Sequence, residues 1–389
     1  MMQSFQRLQH LPPYVFTIVN EFKQQAMAQG REIIDLGMGN PDQPTPKHIV
    51  DALIASANQT HTHRYATPYG IDALREALCA WYQRNYQVKL QPFAETIVTI
   101  GSKDGLGHLA LATTGPGDVV IAPNPTYPIH SYGFIIAGAE VHSIALHSPA
   151  QFLQDLQALL ASQTIKPKML VLNFPSNPTG FCVDLAFYTE IVALAHQYQF
   201  WVVNDLAYAD LYFSPQPPPS ILQVSGAKDI AVEAYSLSKS YNMAGWRVGF
   251  MSGNATLIAA LRQIKSYLDY GMFEPIQIAA VAALQSPPEC LDSIRAMYRE
   301  RRDALCEGLR QVGWNVAVPE ATMFVWAKIP AKFQHMKSLE FIKYIMDNCN
   351  VALSPGVAFG AHGDDHVRFS LVTEPAILKQ AVKQIAEIF

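Results

Sequence analysis

Residues 230–252 read IAVEAYSLSKSYNMAGWRVGFMS: two short β-prone runs, Ile230–Ser236 and Val248–Ser252, joined by a polar turn that carries Lys239 and Arg247. One strand ending on hydroxyls and a lysine says little, but the pattern recurs. Thr96–Ile100 runs into Gly101-Ser102-Lys103-Asp104-Gly105, Met169–Asn173 into Phe174-Pro175-Ser176-Asn177-Pro178, and Trp201–Asn204 into Asp205-Leu206-Ala207-Tyr208. Val119–Ala122 reads as a further strand, and segments of helical period lie between at Gly105–Thr113, Asp184–Gln197 and Thr256–Leu268. Apolar runs alternating with helices predict an α/β fold, a mostly parallel central sheet flanked by helices. Such open sheets bind ligands at the carboxyl ends of their strands. Four polar strand ends are therefore expected to converge on one site.

From Pro287 the texture changes to a long charged helical pattern (Cys290–Gln311), short apolar runs at Trp314–Val318 and Met323–Ala327, and a final helix near Pro375–Ile388. This predicts a smaller α+β domain, formed by residues 1–45 and 287–389 with an N-terminal arm, beside a large domain at 46–286. The 389 residues carry 28 Lys+Arg against 32 Asp+Glu, a net charge of −4 that argues against a nucleic-acid partner. Half the residues are hydrophobic and 15% are charged, which provides a large core and excludes a disordered chain. Cys79, Cys182, Cys290, Cys306 and Cys349 never pair as CxxC, so neither a disulfide framework nor a zinc site is expected. The longest nearly apolar stretch, Ile276–Leu284, falls far short of the ~20 residues that span a bilayer. With no secretory signal pattern at the start of the sequence, no membrane association and a cytoplasmic location are expected.

The strand ends carry the chemistry. A lysine among serines is commonly a solvated surface group, yet Lys239 has Ser236 three residues before it and Arg247 eight after, a hydroxyl and a bidentate cation that both suit a phosphate. Gly101-Ser102-Lys103 opens a helix directly after a strand, where free backbone N–H groups receive anions. Three phosphate-competent elements around one lysine argue for a site. A lysine whose ammonium is destabilised by burial or a nearby cation can form a Schiff base. Asp205 either caps the next turn or holds a protonated ring nitrogen, with Tyr208 placed to bond a ring hydroxyl. Asn177, between two prolines, is either a turn residue or a donor pinned towards the site. His61 and His63 form HxH without supporting ligands and read as polar loop histidines, and Cys182 reads as a packed thiol.

The combination NFPSNPTG (173–180), a strand ending in Asp with Tyr three on, and SxSK with Arg eight on resembles the fold-type I pyridoxal-phosphate aminotransferases, class I/II. The motifs occur in the family's order and the resemblance covers essentially the whole chain. More narrowly, HTHRYATPYGI (61–71), TIGSKDGLGHLALA (99–112), PNPTYPIHSYG (123–133), NDLAYADL (204–211) and SLSKSYNMAGWRVGFM (236–251) resemble bacterial glutamate–pyruvate (alanine) aminotransferases. Aspartate, LL-diaminopimelate and methionine or aromatic aminotransferases, and β-lyases on the same scaffold, are the alternatives.

The resemblance implies a role for each matching residue. Lys239 would hold pyridoxal 5'-phosphate covalently and then carry the substrate's α-proton. Asp205 would keep the pyridine nitrogen protonated, and Asn177 and Tyr208 would bond the phenolic oxygen. Gly101, Ser102, Lys103, Ser236 and Arg247 would form the phosphate cup, with Tyr65 reaching it from the other subunit of a homodimer. Arg368, in DDHVRFSL, would grip the α-carboxylate of the amino acid or 2-oxo acid. Tyr127 would stack on the cofactor, and Gly39 would lie on a loop covering the substrate. No arginine is assigned to a distal carboxylate, and no metal is implied.

Overall fold

A computed structural model describes residues 5–389. Among the described residues, twelve strands run in chain order: β1 (Ile34–Asp35), β2 (Thr96–Thr99), β3 (Val119–Asn124), β4 (Glu140–Ala145), β5 (Pro167–Asn173), β6 (Trp201–Asp205), β7 (Ala231–Ser236), β8 (Gly249–Gly253), β9 (Phe324–Lys328), β10 (Val351–Ala352), β11 (Ser354–Pro355) and β12 (His366–Ser370). Seven of them form the central sheet in the order β2-β8-β7-β6-β5-β3-β4. β8 is antiparallel to both neighbours and all other pairings are parallel. The fold is that of the α/β class, and its expected strands appear with shifts of one to two residues at their ends.

Register explains why distant polar residues meet. Asn173 pairs with Asp205, and Asp205 with Ala234, so the ends of β5, β6 and β7 lie in one row. Ser236, the last residue of β7, pairs with Gly249 of β8, which also pairs with Thr99 of β2. The turn after β2 therefore emerges beside Ser236 although about 140 residues of chain separate them, and a single sheet edge collects all four predicted strand ends.

The edge strand β4 was not anticipated. Its sequence, EVHSIA, mixes polar with apolar residues because it is mostly half-exposed, whereas the expected strands are continuous apolar runs covered on both faces. Trp314–Val318 forms no strand. Its tryptophan is instead a core anchor, with the indole Nε1 donating to the Lys328 carbonyl at 2.8 Å and the ring packed against Phe341, Phe369 and Phe389.

The long charged helix spans Pro288–Gln311 and buries Ile294, Tyr298, Arg301, Leu305 and Leu309. Those positions recur at three- and four-residue spacing, one stripe of a helix that is otherwise solvated. The buried Arg301 grips Asp42 with both terminal nitrogens, at 2.6 and 2.8 Å, which fastens the segment following Gly39 to this helix. Beside it, β9 and β11 flank β12 in an antiparallel sheet that places Arg368 opposite Ser354 and Trp326. Val19 and Leu36, from the start of the chain, join the core that these C-terminal elements bury.

Candidate active site

At the shared strand edge lies a cavity of about 290 Å³ lined by Ser102, Lys103, Asn173, Asn177, Asp205, Tyr208, Ser236, Ser238, Lys239 and Arg247 from the sheet side and by Phe324 and Arg368 from the C-terminal sheet. Tyr127 and Gly39 line it as well. Lys239 sits on a single helical turn, Leu237–Ser240, and its ammonium donates to the Gly39 carbonyl at 2.6 Å. Burial, reinforced by the Arg368 and Arg247 charges, pushes its pKa down to about 8. A lysine so placed is a usable nucleophile and base near neutral pH.

One end of the cavity is built for an anion. The helix Ser102–Thr113 starts there, presenting unpaired backbone N–H groups and the positive end of its dipole. Gly101 has φ +84, and a Cβ added to it would overlap the Arg247 guanidinium. A Cβ on Gly249 would overlap the Ser102 backbone nitrogen. Both glycines thus let backbone and guanidinium close into a cradle that a larger side chain would fill. Arg247, itself at φ +59, donates to the Ala244 carbonyl at 2.8 Å. Ser236 adds a hydroxyl, and the Lys103 ammonium lies 5.9 Å from the centre of the Tyr127 ring.

Asp205 is buried on another wall. Its Oδ1 accepts from the Ala207 backbone at 3.1 Å, so the capping reading holds for one oxygen. Its Oδ2 lies 2.9 Å from His130 Nε2, and His130 Nδ1 lies 2.8 Å from Thr126 Oγ1. His130 thus bridges the Asp205 carboxylate and the Thr126 hydroxyl through its two ring nitrogens. Sequence reasoning missed His130. Its one local signal is the four-residue spacing from Thr126, whereas its partner Asp205 is 75 residues away.

Arg368 is buried across the cavity. It donates to Asn177 Oδ1 at 2.8 Å, the Gly37 carbonyl at 2.9 Å and Ser354 Oγ at 3.3 Å, and it lies over the rings of Phe324 and Phe359. Burial pushes its pKa down to about 10. Asn177 spends its carbonyl oxygen on this bond, so its amide N–H groups are the ones left for a ligand. Tyr208 packs edge-on against Phe324, and burial raises its phenol above the usual range. Gly39 is confined as well, because a Cβ there would collide with the Phe324 ring at 2.7 Å.

The N-terminal segment contributes Tyr14, Phe16, Asn20 and Met38 to the cavity, which sequence reasoning also missed. Tyr65 is not part of this chain's cavity. It is 86% exposed and packs on Tyr270. His63 Nε2 bonds the Ala57 carbonyl at 2.9 Å, and burial pushes the Cys182 thiol up to about 12, far from a reactive thiolate. Among the described residues, one group with metal-ligating chemistry, Asp104, His108 and Asp269, lies together. The buried Lys265 ammonium sits 2.8 Å from Asp269 Oδ2 and already supplies positive charge there.

A lysine of lowered pKa, a carboxylate on one wall, an anion cradle and a buried arginine are a set that fits a phosphorylated pyridine aldehyde on one side and a carboxylate on the other. The family profile described as "Aminotransferase class I and II" matches residues 31–385. The chain belongs to the class I and II aminotransferases. It is a fold-type I, pyridoxal-phosphate-dependent transaminase. It is similar to the glutamate–pyruvate aminotransferase AlaC of Escherichia coli (strain K12), at 51% identity over 100% of this chain and 94% of that one. An LL-diaminopimelate aminotransferase of Moorella thermoacetica is 38% identical over 100% and 98% of the two chains. Among solved structures, an aspartate aminotransferase double mutant of Thermus thermophilus superposes with a TM-score of 0.92 at 28% identity, covering 100% of both chains. Among the described residues, no helix of this aminotransferase is long and apolar enough to cross a membrane.

Proposed function

We propose that this aminotransferase exchanges the amino group between L-alanine and 2-oxoglutarate, giving pyruvate and L-glutamate. The observation that carries the substrate pair is the 51% identity, over the whole chain, to a glutamate–pyruvate aminotransferase. Ser102, Ser236, Arg247 and the backbone around Gly101, with Lys103 beside them, would hold the cofactor's phosphate. Asp205 would hold the ring nitrogen, Asn177 and Tyr208 the phenolic oxygen, Tyr127 the ring face, and Lys239 the aldehyde carbon. Bound pyridoxal phosphate supplies an electron sink for the pair left behind when an α-proton departs.

Each remaining step belongs to the protein. Arg368 orients the substrate by its α-carboxylate, aiming the Cα–H bond at Lys239 Nζ. Lys239 takes the α-proton at Nζ and returns it at the far end of the transfer. His130 and Thr126 hold Asp205 in one orientation, so its charge is preorganised where a ring nitrogen would sit. Tyr14, Phe16 and Met38 line the cavity from the N-terminal segment.

With purified enzyme, kcat/KM for L-alanine with 2-oxoglutarate is expected to exceed that for L-aspartate, L-methionine and LL-diaminopimelate. A preference for any of these three would overturn the substrate reading and leave the reaction class intact. With an S-substituted L-cysteine as substrate and no 2-oxo acid, release of a thiol, pyruvate and ammonia would indicate the carbon–sulfur β-lyase instead.

We also propose a division into a large part at 46–286 and a small part at 1–45 and 287–389, and a cytoplasmic homodimer. The exposed Tyr65 and Tyr270, whose rings pack together, are on the surface that a second copy would cover, bringing its own Tyr65 to this phosphate cradle. Sedimentation is expected to give twice the 43.1 kDa chain mass. A fully active monomer would exclude the dimer.

A further inference from the structure

Asp210 is a buried acid that the transamination itself does not use. It is five residues beyond Asp205, it does not line the cavity, and it is 7% exposed. Its Oδ2 accepts two hydroxyl hydrogens, from Tyr235 at 2.6 Å and from Ser240 at 2.5 Å. Those donors flank the segment that matters most. Tyr235 immediately precedes Ser236, whose hydroxyl faces the phosphate cradle, and Ser240 immediately follows Lys239.

The intervening helix, Leu237–Ser240, is one turn long. A single turn fixes several dihedrals for one hydrogen bond and does not hold its own shape, so its orientation must come from outside. One end is supplied by Tyr235, whose ring is stacked on Trp81 with centroids 4.1 Å apart and on Phe250 at 6.0 Å. The other end is Ser240, which has no comparable packing body of its own and relies on its hydroxyl. One carboxylate oxygen joins the two ends through its short bonds, and a longer direct bond from the Tyr235 hydroxyl to Ser240 Oγ at 3.4 Å runs beside it. Burying a carboxylate is costly unless its bonds are strong, and two short charge-assisted O–H bonds are of the strong kind. Arg295 donates to the Asp210 backbone carbonyl at 3.4 Å and brings positive charge to the same side.

We propose that Asp210 is a positioning residue for Lys239: by gripping Tyr235 and Ser240 together, it sets the angle at which the lysine leaves its helical turn and so the reach of Nζ to the substrate α-carbon. Proton transfer is sensitive to such placement, and a shift of about 1 Å costs on the order of a hundredfold in rate. Substrate binding is not sensitive to it, because Arg368 stands on a different sheet.

The inference rests on the assignment of Lys239 as the proton carrier, so Lys239→Ala runs beside it as a control. In the cofactor-loaded enzyme, Asp210→Ala is expected to lower kcat by about tenfold to a hundredfold while KM for the amino donor stays within about threefold. The kinetic isotope effect with α-deuterated alanine should rise, because proton transfer becomes slower relative to the other steps. Ser240→Ala removes only a hydroxyl and tests the same link even if Asp210→Ala does not fold. It should show a smaller fall in kcat with the same rise in isotope effect, and adding it to Asp210→Ala should cost little more. In the cofactor-free protein, reductive methylation of Lys239, followed by mass spectrometry, should change in rate by severalfold in both variants. Unchanged kcat and isotope effect in Ser240→Ala, or effects that multiply in the double variant, would overturn the proposal. Active Lys239→Ala enzyme would overturn the lysine assignment together with it.

Discussion

Replacing Lys239 with alanine is expected to leave a folded chain that still binds pyridoxal phosphate, with kcat lowered on the order of ten-thousand-fold. The groups proposed to hold the cofactor without a covalent bond, Arg247, Ser236, Asp205 and the start of the Ser102–Thr113 helix, are untouched by the change. What disappears is the amine at the centre of the cavity, and with it both the covalent attachment and the base. Near-normal turnover in purified Lys239→Ala enzyme would end this assignment. The same lysine gives a pH signature without turnover. Its ammonium is pushed down to about 8 by burial and by the Arg368 and Arg247 charges, so in cofactor-free protein the neutral, reactive form is half populated near pH 8 and saturates above it. Labelling of Lys239 by an amine-directed reagent should therefore rise with a midpoint near 8, while surface lysines show a midpoint near about 10.4. A midpoint for Lys239 at the ordinary lysine value would contradict the buried, cation-flanked environment.

The parts of this site that were legible in the sequence are those that a strand delivers to a fixed place. Gly101-Ser102-Lys103, Asn177, Asp205, Ser236 and Lys239 each follow an apolar run, and the row of paired residues from Thr99 and Gly249 to Asn173 and Asp205 turns that local pattern into a common edge. What was not legible depends on pairs far apart in the chain. Arg368 meets Asn177 across 191 positions, and only the resemblance to a family placed it at the site. His130 stands behind Asp205, and the four-residue spacing from Thr126 is too common a pattern to separate it from a helix histidine that faces solvent. Tyr14 and Phe16 follow two prolines in a segment whose composition resembles a mobile terminus, yet Phe16 packs edge-on against Phe359. Trp314 shows a different limit: an apolar run marks a core contact, but it does not say whether the backbone pairs in a sheet, and here it does not.

Arg368→Lys is the second change expected to have a large effect, and it separates two readings of a buried arginine. Of the five guanidinium N–H donors, three go to Asn177 Oδ1, the Gly37 carbonyl and Ser354 Oγ. The buried Nε has no partner, so donor capacity remains for an incoming anion. If that anion is the α-carboxylate, lysine is a poor substitute, because a point ammonium lacks the planar fork and the stacking on Phe324. Losing one partner of a buried charge pair costs about 3–5 kcal/mol when the other is left unpaired. The retained positive charge offsets part of this, so kcat/KM for alanine and glutamate should fall by about a hundredfold or more, chiefly through KM. A primary amine that lacks a carboxylate should lose little, since it never used the fork. The ratio of the two losses decides the matter and is independent of how much enzyme folds. Equal losses on both substrates would mean that Arg368 acts as a brace between Asn177 and Gly37, and that the substrate carboxylate is held elsewhere.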